Sequence, residues 1–292
     1  MKIGLIIQGP LRSKGRTGRT SSIKLNALDE SDIANFNCVD NIAKTFNDFK
    51  STFAEIICVT WDDEETSLIN QVQQSIGQDN VLLLKDETRQ LRPKKAVVGA
   101  NNKYRQFYSF LKGIELVQAR GCDVVIKVRT DQYSDWDQLA QFVEKTLIAS
   151  PNKVILPWAV TYSPHQIADF YIASHAMHMR ELCQRYLSRP EAMDLVHRDL
   201  FYHWSFDLAG WKLPLAKLFL GKRVNFFNKK TVFNAWQQHY VIAPKKILDQ
   251  LYWRGEIYEI ADRAKMLFEE DVADMSTYQA KLSHYKAQKK RR

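Results

Sequence analysis

Residues 123–132 read DVVIKVRTDQ, and the interpretation of the whole chain starts from this stretch. The apolar run from Val124 to Val128 predicts a buried strand, and Lys127, Arg129 and Asp131 gather three charges at its C-terminal end. In an open α/β sheet, ligands bind beyond the carboxyl ends of the strands. Two cations and a carboxylate there favour a phosphorylated ligand, with or without a metal, although a solvated ion pair would give the same pattern.

Apolar strands and helical stretches alternate on both sides of this segment. Helical spacing is clearest before it, where aromatic and aliphatic residues recur with a helical rather than an alternating period. Strands rich in Val, Ile and Leu that alternate with helices predict an α/β fold with a mostly parallel central sheet flanked by helices. The predicted strands are Ile3–Gln8, Glu55–Trp61, Val81–Lys85, Asp123–Val128 and Val154–Trp158, and the predicted helices are Asp32–Phe49, Glu64–Ile76, Asn102–Arg120 and Asp135–Ile148.

The sequence changes character from Tyr162 onward, where His, Trp and Tyr are frequent and regular apolar runs are fewer. No Ser- or Gly-rich linker precedes this part. We therefore expect an α/β core over residues 1–170 and a mainly helical extension over residues 171–292 that packs on the same domain. The chain has 292 residues, 45% of them hydrophobic, which is enough to bury a sizeable core.

The net charge of +9 favours an anionic partner. The basic residues are scattered and follow no nucleic-acid-binding motif, so nucleotide sugars or an acidic membrane face are expected rather than nucleic acid. Residues 284–292, HYKAQKKRR, form a basic tail. This tail fits either a solvated terminus or contact with anionic lipid.

The cysteines and the apolar runs bear on the cellular compartment. The four cysteines lack CxxC or zinc spacing, which fits thiols in a reducing compartment. The first strand begins too early for a secretory signal, and no apolar run is as long as a membrane span. We expect a cytoplasmic protein, either free or peripheral at the inner membrane.

The first strand runs into Gln8-Gly9-Pro10 and then into a loop rich in Arg, Lys and Gly. Gly9 lets the backbone turn closely and Pro10 lacks an N–H, so a ligand could lie on the exposed main chain. We interpret residues 11–22 as a mobile basic loop that either clamps phosphate or is simply solvated. A Walker-type site is disfavoured, because five residues rather than four separate the glycines and Arg16 replaces the lysine.

Two further segments bring candidate residues to the same edge of the sheet. Trp61 and Asp62 end the second strand, where they fit either a helix start or contacts to a base and ribose. Asn101 or Asn102 is a sound N-cap for the long helix, and Arg105 and Gln106 lie in its first turns.

His165 and Asp169 follow the fifth predicted strand and are four residues apart. On a helix they would share a face. Such a pair supplies a general base, an oriented His–Asp pair or metal ligands, and a surface loop with a hydrogen-bonded His is the alternative.

Taken together, these motifs resemble the WavE-like lipopolysaccharide-synthesis family, whose members are thought to be glycosyltransferases with a GT-A-like fold. The resemblance covers residues 3 to about 170. The matching residues are Gln8-Gly9-Pro10, Thr60-Trp61-Asp62, Asn102 with Arg105-Gln106 and Gly113, Lys127 with Arg129-Thr130-Asp131, and His165 with Asp169-Phe170.

The resemblance implies a GT-A-like glycosyltransferase that moves a sugar from a nucleotide-sugar donor to a bacterial glycan or glycolipid, such as lipopolysaccharide or capsule. It implies that Asp169 and His165 are catalytic. Asp131 stands without a second aspartate, which leaves open whether it binds a divalent metal, Mn or Mg. The implied donor-binding residues are Gln8, Gly9, Pro10, Trp61, Asp62, Asn102, Arg105, Gln106, Lys127, Arg129 and Asp131.

Two other functions fit the same residues. One is a sulfo- or phosphotransferase that uses the basic loop after the first strand. The other is a non-catalytic protein that binds a nucleotide or a glycan.

Overall fold

A computed structural model describes residues 1–22, 29–86, 98–161, 163–187, 229–259 and 265–291, with side chains for all of these except 22, 31, 98–103, 163–166, 229–232 and 290–291. The strands are β1 (Ile3–Gln8), β2 (Arg12–Gly15), β3 (Ala34–Asn37), β4 (Glu55–Trp61), β5 (Val81–Leu84), β6 (Val124–Arg129), β7 (Gln132–Tyr133), β8 (Val154–Leu156), β9 (Ala159–Val160), β10 (Ser163–Ile167), β11 (Ile172–His175), β12 (Tyr240–Ile242), β13 (Tyr252–Trp253), β14 (Glu256–Ile257) and β15 (Met266–Leu267). The helices are α1 (Val39–Phe49), α2 (Thr66–Ile76), α3 (Val98–Ala119), α4 (Trp136–Ala149) and α5 (Ala176–Leu187), followed by Lys229–His239, Lys245–Asp249 and Met275–Arg291.

Seven strands form the central sheet in the order β12-β8-β11-β6-β1-β4-β5. Strands β1, β4, β5 and β6 pair in parallel, as do β8 and β12, whereas β11 runs antiparallel to both of its neighbours. The predicted α/β fold with a mostly parallel sheet flanked by helices is confirmed. β11 was not predicted, because a four-residue strand such as IASH is too short to show a reliable period.

The two faces of the sheet are covered by different helices. Ile6 and Val125 point to the face covered by α3 and α5, and Leu5 and Ile126 point to the face covered by α1, α2 and α4. This division follows from the strand geometry, because successive side chains of a strand point to opposite faces. Both faces are apolar, as expected for a largely parallel sheet buried between two helical layers.

The first predicted helix starts later than expected. It begins at Val39 rather than at Asp32, because residues 34–37 form β3 and pair with β2 in an antiparallel ribbon. Residues 12–15 are therefore a strand of a ribbon rather than part of an open loop, and the mobility of residues 11–22 stays a prediction. Gly18 also packs on β13 and β14, with its N–H donating to the Trp253 carbonyl at 2.9 Å.

The described part of the C-terminal extension is mainly helical, and it also completes the sheet. β11 and β12 come from residues beyond 170, so the division at that residue stays a prediction. The basic tail continues the helix Met275–Arg291, whose Tyr278 and Leu282 pack into the core.

Two structural observations concern the cysteines and the apolar runs on which the compartment predictions depend. The thiols of Cys38, Cys58, Cys122 and Cys183 are all free and buried. In the part of the chain that the structure describes, no helix combines the length and the apolar character needed to cross a membrane.

Candidate active site

A cavity of about 310 Å³ opens at the carboxyl ends of β1 and β6. In sequence order β1 is the first strand of the sheet and β6 the fourth, and the sheet grows outward in opposite directions from this pair. Such a topological switch point is where open α/β sheets bind their ligands. The residues lining the cavity are Gln8, Gly9, Pro10, Trp61, Glu64, Arg105, Gln106, Ser109, Lys127, Arg129, Thr130 and Asp131.

Strand alternation explains why distant residues meet in this cavity. Gln8 pairs with Arg129 across β1 and β6, and Lys127 precedes Arg129 by two positions on the same face. That face is covered by α3, whose early turns bring Arg105 and Gln106 over the strand ends. Nine of the thirteen residues predicted for the site line this one cavity, while their roles stay predictions.

Gly9 forms the close turn that the sequence indicated. Its φ of +147° lies in the region that favours glycine, and a Cβ there would lie 2.6 Å from Thr130 Oγ1. Thr130 in turn donates from its hydroxyl to the Pro10 carbonyl at 2.8 Å. The two strand ends are therefore joined directly beside the cavity.

Gln8 is a buried amide with one end fixed and one end free. Its Nε2 donates to the Gln106 carbonyl at 2.7 Å and to Ser109 Oγ at 2.6 Å. Because a carbonyl can only accept, these contacts fix which end of the amide is nitrogen. Among the described residues, Gln8 Oε1 has no hydrogen-bond partner, so it can accept an N–H or O–H from a ligand.

Lys127 is a buried cation at the floor of the cavity, with only 1% of its surface exposed. Burial lowers the pKa of its ammonium group to about 8, although the nearby Asp169 charge opposes this shift. Lys127 Nζ donates to the Asp169 carbonyl at 2.8 Å. An ammonium group has three donors, so the remaining N–H groups are available to an anion.

Asp131 is 2% exposed and is surrounded by hydrogen-bond donors. Arg129 binds it through two nitrogens, Nε to Oδ1 at 3.0 Å and Nη2 to Oδ2 at 3.1 Å. Oδ2 also meets Arg254 Nε at 3.1 Å, Ser13 Oγ at 2.8 Å and Trp253 Nε1 at 3.1 Å. This carboxylate therefore ties β6 to the β2 ribbon and to the C-terminal hairpin formed by β13 and β14.

The pKa of Asp131 reflects those contacts. Burial by itself would raise the pKa, but the charges of Arg129 and Arg254 and the donated hydrogen bonds outweigh it and lower the pKa to about 2. The carboxylate is thus ionised and pairs with two guanidinium groups, which together keep one net positive charge. Its surroundings do not fit the predicted divalent metal, since both oxygens already accept hydrogen bonds and cations flank them.

Trp61 and Arg105 line the cavity in a different arrangement from the one predicted. The Arg105 guanidinium lies 4.3 Å from the Trp61 ring centroid, and Tyr108 stacks with the same ring at 6.4 Å between centroids. Arg105 also pairs with Asp63 at 3.5 Å and Asp86 at 3.6 Å. The Trp61 ring is thus buried among side chains, and Arg105 is the more accessible of the two toward a ligand.

Asp169 lies beside the cavity, and of the arrangements that the sequence left open for Asp169 and His165, the shared helix face is not formed. His165 belongs to β10, and Asp169 follows that strand in a non-helical segment. Asp169 Oδ2 accepts from Gln106 Nε2 at 3.0 Å, and its carbonyl accepts from Lys127. The side chain of His165 lies outside the described residues.

The remaining predicted residues lie at or beyond the margin of the site. Asp62 is exposed and does not line the cavity, and the side chain of Asn102 lies outside the described residues. Glu64, which the sequence interpretation missed, lines the cavity and accepts from the Leu11 N–H at 3.2 Å. Burial raises the pKa of Glu64.

The contribution of Ser13, Trp253 and Arg254 was also missed. Arg254 caps Asp131 from the turn of the β13–β14 hairpin, where its backbone adopts a φ of 51°. An Arg-Gly pair after two apolar residues was the available turn signal, but nothing in it indicates a partner more than a hundred residues away.

No family model matches the chain. No curated protein matches it either. Among solved structures, it is similar to mannose-1-phosphate geranyltransferase from Thermus thermophilus, with 11% identity over 68% of this chain and 67% of that one and a TM-score of 0.37. A protein assigned as a glucose-1-phosphate thymidylyltransferase from Bacillus anthracis gives 10% identity, 70% and 82% coverage, and a TM-score of 0.36. At such scores the function proposed below depends on the residues of this chain alone.

Proposed function

We propose that this protein is a glycosyltransferase that uses a nucleotide-sugar donor. The observation that carries the proposal is the cavity at the switch point of the sheet, which Lys127 and Arg129 line and beside which the Asp169 carboxylate is held by Gln106. Cations at that position suit a diphosphate, and a neighbouring carboxylate suits proton transfer from a hydroxyl group.

The proposed reaction is a single displacement at the anomeric carbon of the donor sugar. The acceptor oxygen forms a bond to that carbon as the bond to the phosphate oxygen breaks, and the electron pair leaves with the diphosphate. Lys127 and Arg129 stabilise the leaving charge. Asp169 takes the hydroxyl proton, and Gln106 holds its carboxylate through the 3.0 Å hydrogen bond. This route inverts the anomeric configuration.

The acceptor proposed here is a bacterial cell-surface glycan or glycolipid, such as lipopolysaccharide or capsule. This part of the proposal follows from the family resemblance of the motifs. A glycolipid acceptor would bring the protein to the cytoplasmic face of the inner membrane, where anionic lipids attract basic segments. The helix Met275–Arg291, with exposed Lys286 and Lys289, is the proposed contact.

A transferase that uses the basic loop after β1 has less support. Arg12 pairs with Glu65 at 2.9 Å, and Arg16 donates to the Ser21 carbonyl at 3.0 Å. Of the described residues of that loop, the cations Arg12, Lys14, Arg16 and Arg19 do not line the cavity.

The test is the reaction of a panel of nucleotide sugars with water in the absence of an acceptor. Mass spectrometry of the products should show free sugar and nucleoside diphosphate with one donor of the panel. Asp169→Asn keeps the shape of the side chain and should lower this rate at least about tenfold, equivalent to about 1.4 kcal/mol. It should leave donor affinity, measured by calorimetry, within about threefold, about 0.7 kcal/mol.

Asp79→Asn is the matched control, because Asp79 is an exposed aspartate that precedes β5 and lies outside the cavity lining. Its rate should equal that of the wild type. Donor binding without turnover in the wild type would instead support a non-catalytic binding protein. An Asp169→Asn variant with the wild-type rate would place the base elsewhere.

A further inference from the structure

We propose that the cavity binds a diphosphate directly through Lys127 and Arg129, and that Asp131 is a positioning residue for Arg129 rather than a ligand of a divalent cation. The identification of that diphosphate as part of a sugar donor rests on the proposed function. The binding of the anion itself does not.

The occupancy of the Asp131 carboxylate is the first observation. Its two oxygens accept five contacts from four side chains, two of which are positively charged guanidinium groups. A divalent cation requires oxygen lone pairs and usually several acidic ligands. In the described ranges, no group of three His, Cys, Asp or Glu residues is placed to hold a metal ion.

The unused donors of the two cations are the second observation. Arg129 donates to Asp131 from Nε and from Nη2. Among the described residues, its Nη1 makes no hydrogen bond. Lys127 donates one N–H to the Asp169 carbonyl, and its side chain lines the cavity. Both side chains leave the same face of β6, two residues apart, so their free N–H groups can converge on one anion.

The C-terminal hairpin fixes this arrangement. Arg254 donates from Nε to Ser13 Oγ at 2.9 Å, and its backbone N–H donates to the Asp131 carbonyl at 2.8 Å. Arg254 Nη1 also donates to the Arg16 carbonyl. These contacts lock Asp131 in place, so that Asp131 in turn holds the Arg129 fork at the cavity. Arg254 and Ser13 thereby act as positioning residues at a distance from the ligand.

The test uses inorganic pyrophosphate as the probe and the full chain as the protein. Calorimetry is run in excess EDTA and again in excess Mn²⁺. Pyrophosphate should bind in EDTA, and Mn²⁺ should not tighten binding by more than about threefold, about 0.7 kcal/mol. A requirement for Mn²⁺, or tightening of about tenfold or more, would overturn the proposal, as would an absence of binding in both media.

Single substitutions test whether Lys127 and Arg129 bind the anion directly. Lys127→Met and Arg129→Met should each weaken pyrophosphate binding in EDTA at least about tenfold, about 1.4 kcal/mol. Lys14→Met is the matched control, because Lys14 is exposed and outside the cavity lining, and its affinity should be unchanged. Equal affinities for all of these proteins would overturn the proposal.

Asp131→Asn distinguishes a positioning carboxylate from a metal ligand by the medium in which its effect appears. Loss of a metal ligand would weaken pyrophosphate binding only in Mn²⁺, and that result would overturn the proposal. Loss of a positioning carboxylate releases the Arg129 fork, so pyrophosphate binding should weaken to the same extent in EDTA and in Mn²⁺. Unchanged binding in both media would also overturn the proposal. If this variant does not fold, the wild-type comparison still decides. Metal-free pyrophosphate binding without sugar release from any donor would retain this inference and reject the proposed function.

Discussion

Residues 127–131 and residues 12–19 both place cations next to a strand end, yet only the first segment lines the cavity. In the first segment, Lys127 and Arg129 keep N–H groups that can still donate to a ligand in a buried site. In the second, Arg12 forms an exposed pair with Glu65, and the backbone is tied to the C-terminal hairpin. Similar local charge therefore becomes a binding site or a structural ribbon according to what packs against it.

The largest expected difference between the two segments is in how much a substitution lowers the free energy of unfolding. Asp131→Ala should lower the free energy of unfolding by about 3–5 kcal/mol, because it leaves Arg129 and Arg254 as uncompensated cations in a buried cluster. Urea denaturation measures the change. The control is Glu65→Ala, which removes the partner of Arg12 at the surface. A loss under about 1 kcal/mol for Asp131→Ala would mean that the cluster is no more tightly held than an exposed pair.

A second substitution probes how firmly the basic loop is held. A Cβ on Gly18 would lie 2.3 Å from the Glu256 carbonyl oxygen and 2.4 Å from that of Ile257. Because backbone atoms must move to accommodate it, Gly18→Ala should cost about 1–3 kcal/mol in thermal or urea unfolding. Gly77→Ala is a poor control because of its positive φ, so Ser75→Ala on an exposed helix position serves instead. Wild-type stability for Gly18→Ala would favour the interpretation of this loop as mobile.

The pH dependence of anion binding should identify Lys127. Its folded pKa is about 8, so its charge is present below that pH and is lost as the pH rises through it. Pyrophosphate affinity should therefore fall up to about tenfold per pH unit above about pH 8 to the extent that binding requires the charge, about 1.4 kcal/mol. Binding near that pH should take up a proton, which calorimetry in buffers of different ionisation enthalpy detects. Lys127→Met should remove this uptake.

The titration of Lys127 also makes the free energy of unfolding depend on pH. The unfolded chain keeps the Lys127 proton up to about pH 10.4, whereas the folded protein releases it near pH 8. Because the unfolded state then binds more protons, this group makes the free energy of unfolding rise with pH between those two values. A Lys127→Met protein should lack this contribution.

The smallest effect is expected in the basic loop itself. Arg12→Ala removes a salt bridge whose side chains are 41% and 54% exposed, so the free energy of unfolding should stay close to that of the wild type. Pyrophosphate affinity should stay at the wild-type value. A loss of affinity like that of Arg129→Met would show that the loop reaches the anion and would erase the contrast between the two segments.

Much of the fold follows from the sequence because its signals are local. The apolar runs Ile3–Gln8 and Glu55–Trp61 are strands at the predicted bounds. The long helix ends at Ala119, close to the predicted bound, but it already includes Val98, so the N-cap predicted at Asn101 or Asn102 is wrong. Placing Gln8, Arg105 and Lys127 at one edge required only the rule that parallel strands end together. The late start of the first helix could not be predicted, because it depends on pairing between β3 and β2, which no local pattern in either segment indicates.

The sequence by itself determined the alternating core, the charged end of β6 and the glycine turn at residue 9, since each depends on neighbouring residues and on backbone geometry. Only the tertiary structure decided what those charges do. The C-terminal hairpin brings Trp253 and Arg254 to Asp131, so donors surround the carboxylate for which the sequence left a metal open. The physical reason is that the availability of a carboxylate lone pair depends on every donor packed around it, and three of the donors here come from more than a hundred residues away.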